Sequence, residues 1–232
     1  MPLSSLTKKY LMALSGLILV GFVLIHMLGN LQFFLGPQAL NTYAYKLHTL
    51  PPIVLWGFRA FLLLSVAIHV WMAVLLTREN HAARPKRYAV ASRVQSSYAA
   101  RTMPMTGFIL LSFIIFHILQ FTVRVVPENY EETLPPATIH YQDTTIETFD
   151  VYAMMVAGFS NKWISLFYLL SMGLLCLHLS HGVSSLFQSL GLRNERWRRI
   201  LGNTANIYGW FIFLGFAAVP FSVLTGLLRD TP

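Results

Sequence analysis

The run Trp163–Leu190, WISLFYLLSMGLLCLHLSHGVSSLFQSL, decides the fold class of this chain. It contains no charged residue over 28 positions, which is long enough for one helix to cross the hydrocarbon core of a bilayer. An imidazole, His178, nevertheless lies in the middle of the run. Because an ionisable side chain is costly inside a membrane helix, its presence indicates a functional site.

Four further apolar runs accompany this one, so the chain is predicted to be an integral membrane protein. It has 232 residues, of which 55% are apolar and only 11% charged, whereas about a quarter are charged in a typical soluble domain. We predict an all-α, single-domain bundle over residues 1–232 with five transmembrane helices. They are expected at about 10–35, 53–77, 104–126, 160–190 and 206–228.

The charged residues between the runs predict the orientation of the bundle. Basic residues dominate the amino terminus, the loop 78–102 and the segment 193–199, whereas acidic residues dominate the loop 127–162. With five crossings, the three basic segments lie on one side, which the positive-inside rule predicts to be the cytoplasm. The amino terminus is therefore expected inside and the carboxyl terminus outside. The net charge of +8 reflects these loops and does not indicate nucleic-acid binding.

Proline and glycine predict shorter features at the ends of the runs. Gly36-Pro37 is expected to end the first helix, and residues 38–50 and 146–159 are expected to form two short helices at the membrane surface. Pro104 is expected in the first turn of the third transmembrane helix. Pro220 is expected to kink the fifth.

Four of the five predicted helices carry a histidine inside the apolar run. At about 1.5 Å per residue, His26 lies roughly 25 Å and His117 roughly 20 Å from the inner ends of their helices. His69 lies about 13 Å and His178 about 22 Å from the inner ends of theirs. These depths predict an outer pair, His26 with His117. They predict an inner pair, His69 with His178, if the fourth helix tilts or extends past the bilayer.

Paired imidazoles at two depths predict axial ligands to two iron porphyrins stacked across the membrane. Three of the four histidines have small residues on the same helical face, three or four positions away: Gly29 for His26, Ser65 and Ala73 for His69, and Gly182 for His178. Such residues would leave room for the edges of a flat macrocycle, whereas His117 has Phe113 one turn back. Two axial imidazoles leave no open iron site, which favours electron transfer over oxygen binding.

The cysteine content restricts the kind of redox cofactor. The single cysteine, Cys176, lies within an apolar run, so neither a disulfide framework nor a four-cysteine iron–sulfur site can form. Cys-x-x-Cys-His is absent, so a haem would be held non-covalently, and no Gly-x-Gly-x-x-Gly signals a Rossmann-type flavin or nicotinamide site. Any flavin or iron–sulfur centre of the same reaction would lie on other chains.

A packing role is the alternative for each histidine. A lone membrane histidine is about as often a hydrogen-bonded packing residue as a ligand, but four that pair by depth make coincidence a poor explanation. His181 competes with His178, one turn away on a similar face, and position alone leaves both open. The loop residues His48, His81 and His140 are expected to be solvated.

Charged residues near the ends of the runs provide further candidates. Arg93 and Arg101 border the inner side, where they could contact haem propionates or an acidic partner protein. All nine carboxylates lie outside the predicted spans, so a carboxylate proton relay of the kind common in pumps is not expected.

A set of motifs is distributed over nearly the whole chain. They are Lys9 with Met12–Gly16, His26–Gln32, Ser92-Arg93, Ala100–Met103 with Thr106-Gly107 and His117, and His178–Gly182 with Gly191. Together they resemble the cytochrome b membrane anchor of the succinate dehydrogenase and fumarate reductase family, in its five-helix, two-haem form.

The resemblance implies two haem b groups held by the same ligand pairs. In that family the ligand of the fourth helix is the histidine four residues before a glycine, followed at a distance by a second glycine. Gly182 and Gly191 therefore imply His178 rather than His181. One departure is Cys176, because some fumarate-reducing relatives carry a glutamate there, and proton transfer that depends on this acid is not implied.

The resemblance also implies partners and a place in the cell. A flavoprotein that interconverts succinate and fumarate and an iron–sulfur protein would dock on the basic cytoplasmic face, in a bacterial cytoplasmic membrane. The chain would transfer electrons between the iron–sulfur protein and membrane quinone, most simply menaquinone. Two alternatives stay open: the haem-bearing anchor of a hydrogenase or formate dehydrogenase, and a transporter whose histidines bind metal or relay protons. No inverted repeat favours the transporter, and only Pro220 interrupts a span.

Overall fold

The computed structural model describes residues 3–83, 98–192 and 194–227, without the side chains of Ala100, Glu195 and Arg196. In chain order its elements are α1 (Ser5–Asn30), α2 (Pro37–His48), α3 (Pro52–Ala82), α4 (Tyr98–His117), α5 (Tyr130–Thr133), β1 (Ala137–Tyr141), β2 (Thr144–Thr148), α6 (Val151–Ser160), α7 (Lys162–Ser189) and α8 (Glu195–Thr225). A 3₁₀ turn over Leu31–Leu35 extends α1, and a π-helical turn over Ile118–Thr122 extends α4.

Within the described ranges, five helices are long and apolar enough to span a membrane, as predicted: α1, α3, α4, α7 and α8. The surfaces of these helices that face outward are apolar, as are the surfaces through which the helices contact one another. Ile25 and Leu28 of α1 and Leu63 and Leu64 of α3 are all more than half exposed. Only 11% of the most apolar stretch of α3 is buried inside the protein. Such a surface is stable in lipid and not in water.

The starts of two spanning helices differ from the prediction. The predicted third transmembrane helix is α4. It begins at Tyr98, so Pro104 lies inside it rather than in its first turn. The last helix, α8, begins at Glu195 rather than near 206, because the side chain of Asn194 caps it by accepting from the amide of Trp197 at 3.0 Å. Apolar periodicity predicts only the apolar part of a helix. The helix can extend beyond that part through polar residues when a capping side chain, such as that of Asn194, satisfies the backbone amides at its start.

At the end where α1 begins, a polar contact joins α1 to the end of α3. Lys8, which is buried, forms an ion pair with Glu79, and Ser5 donates to the same carboxylate at 3.1 Å. This contact explains why α3 continues past Thr77 to Ala82. Glu79 therefore lies in the last turns of a spanning helix, where the sequence predicted a loop.

The second-last helix, α7, packs against α1, α4 and α8 and is the centre of the bundle. Its contact with α8 is close at Gly209. A Cβ added there would lie 2.8 Å from the backbone carbonyl oxygen of Cys176 and 2.8 Å from Oγ of Ser180. Small residues allow membrane helices to approach in this way, because packing replaces the hydrophobic effect as the driving force for their association.

Alanine at Gly209 is expected to destabilise the bundle by about 1–3 kcal/mol, because a buried backbone carbonyl has to move to admit the new methyl group. Gly202→Ala on the same helix is the control. No described atom lies within 4 Å of a Cβ at Gly202, so helix propensity should make this variant up to about 1 kcal/mol more stable. Thermal unfolding in detergent measures both, and a Gly209→Ala protein as stable as Gly202→Ala would contradict the close contact.

A cap of short elements covers the end of the bundle opposite to the start of α1. The predicted surface helix at 38–50 is confirmed as α2, and the predicted helix at 146–159 is confirmed only in its second half, as α6. The two are joined by Asn41, which is buried. Its Nδ2 donates to Asp150 at 3.0 Å, and its Oδ1 accepts from the amide of Tyr152 at 3.0 Å. Asp150 also caps α6 through the amide of Ala153.

A β-hairpin in the cap is an addition to the predicted all-α fold. Its strands β1 and β2 are antiparallel, with Ile139 opposite Ile146, and Gln142 and Asp143 at the turn both have positive φ. Ile139 is fully buried. The sequence signal for this hairpin is the apolar and polar alternation of β1 before the Gln142-Asp143 turn and the threonine-rich, β-branched composition of β2 after it.

Candidate functional site

The four histidines of the spanning helices come together in two pairs, each made of residues from two different helices. His26 of α1 faces His117 of α4, with ring centroids 5.7 Å apart and ring planes at 80°. His69 of α3 faces His178 of α7, with centroids 6.3 Å apart and planes at 61°. These are the juxtapositions that depth in the membrane predicted, and the names outer pair and inner pair are kept for them.

The two pairs lie at different heights in the bundle. On α1, Gly16 lies against the inner pair, because a Cβ added there would be 3.3 Å from Cε1 of His69. His26 follows ten residues later, about 15 Å along the helix. On α4, Thr106 contacts the inner pair, and His117 follows eleven residues later, about 16 Å along the helix. Two separate helices therefore give nearly the same spacing between the pairs.

The hydrogen bonds of the inner pair determine which ring nitrogens carry hydrogen. Nδ1 of His69 lies 3.3 Å from Oγ of Ser15, and Nδ1 of His178 lies 3.2 Å from Oγ1 of Thr106. Each hydroxyl donates its one hydrogen to a backbone carbonyl of its own helix, at 2.7 Å for Ser15 and 3.1 Å for Thr106. The hydroxyl oxygens therefore accept from Nδ1–H, and the lone pair of each imidazole is on Nε2.

In the outer pair, the Tyr168 hydroxyl has the role that the Ser15 and Thr106 hydroxyls have in the inner pair, because its oxygen accepts from Nδ1–H of a histidine. Tyr168 donates its hydroxyl hydrogen to Oε1 of Gln120 at 2.8 Å, so its oxygen accepts from Nδ1–H of His117 at 3.2 Å. His26 has a contact within its own helix, since its Nε2 lies 3.4 Å from the side-chain amide of Asn30. The rings of His69, His117 and His178 are therefore in the form whose lone pair is on Nε2.

The separation within each pair fits two imidazoles that bind one metal ion between them. A metal–imidazole bond of about 2 Å on each side, plus about 1 Å from each nitrogen to its ring centre, gives about 6 Å between centroids. The observed 5.7 and 6.3 Å lie on either side of this value.

The donor set of each pair indicates the kind of metal group. In the part of the chain that the structure describes, no three His, Cys, Asp or Glu side chains form a group that could hold a metal ion. A bare transition-metal ion usually takes three or four protein ligands. Two imidazoles suit an iron whose remaining ligands come from a porphyrin.

Two glycines lie in close contact with the rings of the inner pair, and a third faces open space. A Cβ at Gly107 would be 3.6 Å from Cε1 of His178, and one at Gly16 would be closer still to His69. Among the described residues, no atom lies within 4 Å of a Cβ added at Gly182. The open space predicted one turn after His178 is therefore present.

Gly29, one turn after His26, has a different role from the one predicted. A Cβ there would lie 2.7 Å from the hydroxyl oxygen of Tyr43, so the glycine admits this ring of α2 rather than the edge of a macrocycle. Spacing within α1 could not indicate this, because Tyr43 belongs to another helix.

Phe113 stacks on His117 with centroids 5.8 Å apart and planes at 26°, which is the close neighbour that spacing predicted.

Beyond Tyr168, a buried polar network extends the outer pair, and the sequence reasoning missed it. Gln120 and Tyr130 are both fully buried, and Nε2 of Gln120 donates to the Tyr130 hydroxyl at 3.5 Å. Burial raises the pKa of the Tyr130 hydroxyl, so it stays protonated and neutral. Gln120 lies in the π-helical turn that follows His117 directly, a feature common at functional sites. The glutamine inside an apolar run was the available signal.

Of the remaining predicted site residues, the structure describes Arg101 and His181. Arg101 is exposed near the start of α4, at the end of the bundle nearer the inner pair. Arg93 lies outside the described residues. His181 is half-buried one turn after His178 and interacts with its surroundings. His48 donates Nδ1–H to a backbone carbonyl of its own helix at 2.9 Å.

Comparison of the chain with protein-family models, with curated proteins and with solved structures gave no match. The two histidine pairs and their hydrogen bonds are therefore the observations from which a function can be proposed.

Proposed function

We propose that this chain is the dihaem cytochrome b membrane anchor of a succinate:quinone oxidoreductase, of the succinate dehydrogenase and fumarate reductase kind. The observation that carries the proposal is the pairing of four histidines from four spanning helices at separations that suit one iron per pair. The spacing of about 15 Å between the pairs suits an electron path along the bundle.

Two haem b groups would be held by these side chains. His26 and His117 would bind the outer haem, and His69 and His178 the inner haem. When bound, each haem supplies one-electron transfer, and two axial imidazoles leave its iron no open position for oxygen.

The protein itself orients the imidazoles and keeps water from them. The hydroxyls of Ser15, Thr106 and Tyr168 accept Nδ1–H, which leaves Nε2 available to a metal and would raise its basicity as a ligand. Each hydroxyl comes from a different helix than the histidine it holds. Ring orientation therefore depends on the assembled bundle and not on any one helix.

Partner chains belong to the proposal. Exposed cations, including Lys9, Arg101 and Arg199, lie at the end of the bundle where α1, α4 and α8 begin. This charge supports docking of an acidic iron–sulfur protein, which would in turn carry the flavoprotein that interconverts succinate and fumarate. By the positive-inside rule, this end would face the cytoplasm of a bacterial cell. Menaquinone is the quinone we propose for the membrane.

The absorption spectrum of the purified chain tests the cofactor. After reduction with dithionite, a b-type haem band is expected, and a haem assay should give two haems per chain, because each histidine pair supplies both axial ligands for one iron. A colourless protein would contradict the proposal and favour a transporter in which the histidines bind metal or relay protons.

The proteins that purify with the chain test the enzyme. The proposal requires a flavoprotein with succinate dehydrogenase or fumarate reductase activity and an iron–sulfur protein. If the chain contains haem but purifies with the catalytic protein of a hydrogenase or formate dehydrogenase, the result would support its role as a membrane anchor and contradict the proposed reaction with succinate and fumarate.

A further inference from the structure

We infer that Tyr168, supported by Gln120 and Tyr130, is a positioning residue that sets the reduction potential of the outer haem separately from that of the inner haem. The inference rests on the proposed function, because it requires that His117 bind iron. What carries it is the direction in which each hydrogen bond of this network runs.

The donors of the network all point away from His117. Nδ1–H of His117 donates to the Tyr168 oxygen at 3.2 Å, and the Tyr168 hydroxyl donates to Oε1 of Gln120 at 2.8 Å. Nε2 of Gln120 then donates to Tyr130 at 3.5 Å. Because its only hydrogen is taken by Gln120, Tyr168 presents lone pairs alone to the imidazole. Hydrogen bonds in such a chain polarise one another, which makes the phenol oxygen a stronger acceptor.

Packing keeps the phenol in this position. Tyr168 is 6% exposed, and Gln120 is fully buried. The rings of Phe113 and Phe159 contact the phenol ring edge-on, with centroids at 4.9 and 5.0 Å. Water cannot replace the partners of the Tyr168 hydroxyl unless this packing opens.

The short helix α6, which belongs to the cap, covers the network formed by Tyr168, Gln120 and Tyr130. A Cβ at Gly158 would lie 2.8 Å from Nε2 of Gln120 and 3.2 Å from the hydroxyl of Tyr130. The backbone of α6 therefore lies directly over the amide, and a larger residue at Gly158 would displace it. This close approach is a reason for glycine at that position.

The inner pair has no equivalent chain among the described residues. The hydroxyls of Ser15 and Thr106 donate hydrogen bonds to backbone carbonyls of their own helices, so each of these chains of hydrogen bonds ends at the backbone. A strong acceptor at Nδ1 makes Nε2 a better electron donor, which stabilises the more highly charged, oxidised iron. The Tyr168 network should therefore hold the outer potential lower than an unassisted imidazole pair would.

Redox titration of the purified complex, followed by haem absorbance, tests the inference. In Tyr168→Phe, the outer haem is expected to favour its reduced form about tenfold more, an upward shift of about 59 mV for a one-electron couple. Gln120→Met, which keeps the phenol, should give a smaller upward shift. The outer component is identified as the one missing from His117→Ala. The inner potential should stay unchanged in both variants.

Tyr208→Phe is the matched control, since this phenol donates to the backbone carbonyl of Val20 at 2.7 Å. It should move neither potential. Unchanged outer potentials in Tyr168→Phe and Gln120→Met would overturn the inference, and two retained haems would leave the proposed function intact.

Equal shifts of both haems would also overturn the inference, because they would reflect general loosening of the bundle. If Tyr168→Phe fails to retain the outer haem, Gln120→Met decides: an upward shift supports the inference and an unchanged potential overturns it. A wild-type complex without haem would overturn the proposed function and, with it, this inference.

Discussion

Replacement of His117 by alanine is expected to lower the haem content from two per chain to one, and replacement of His26 is expected to do the same. Their rings face each other at 5.7 Å, so either substitution removes half of the axial ligation of the same iron. Loss of a group that merely supports a ligand already weakens a metal site about 10–100-fold, and loss of the ligand itself should be more severe. A haem-to-protein ratio with a reduced spectrum measures the result.

Double variants then test the pairing itself. A chain with both His26→Ala and His117→Ala should retain one haem, like either single variant, because the two residues act as a unit. A chain with His117→Ala and His69→Ala should retain none. His48→Ala, a histidine outside both pairs, should retain two and serves as the control. One retained haem in the mixed double variant would refute the pairing of ligands.

The inner haem is expected to be lost from His178→Ala and retained in His181→Ala. The ring of His178 lies 6.3 Å from that of His69, and its Nδ1 contacts Thr106, which leaves the Nε2 lone pair for a metal. The measurement is again the haem ratio, combined with redox titration to show which component is missing. Since the two histidines are three residues apart on one helix, each variant is a control for the folding of the other.

Retention of both haems by His178→Ala, together with loss of one from His181→Ala, would transfer the ligand role to His181. Loss of a haem from both variants would show that the second histidine supports the first. In that case His181→Gln, which keeps a hydrogen-bonding side chain of similar length, should restore the inner haem if the role of His181 is support alone.

The spanning helices could be predicted from the sequence because a run of apolar residues satisfies the bilayer locally. Each of the five runs is a helix in the structure, and the short helix α2 also lies where Gly36 and Pro51-Pro52 predicted it. The ends were predicted less well. Asn194 extends α8 by a cap, and Pro104 is accommodated inside α4, because helix ends depend on single hydrogen bonds rather than on hydropathy.

The candidate site could be predicted in part. Depth along each helix predicted the pairing of His26 with His117, and that of His69 with His178 only on the assumption that the fourth helix tilts or extends past the bilayer. Depth could not indicate the role of Gly29, which admits Tyr43 of another helix. The role of the four histidines as iron ligands stays a prediction until haem content is measured.

The sequence by itself determined that the chain has five helices long and apolar enough to span a membrane and where along four of them an imidazole lies, since hydropathy and helical rise are local properties. Only the tertiary structure decided which hydroxyl contacts each of His69, His117 and His178, and hence that the lone pair of these three rings is on Nε2. The physical reason is that Tyr168 reaches His117 across 51 positions of the chain and Ser15 reaches His69 across 54. No local pattern records such contacts, because they exist only after the helices have packed.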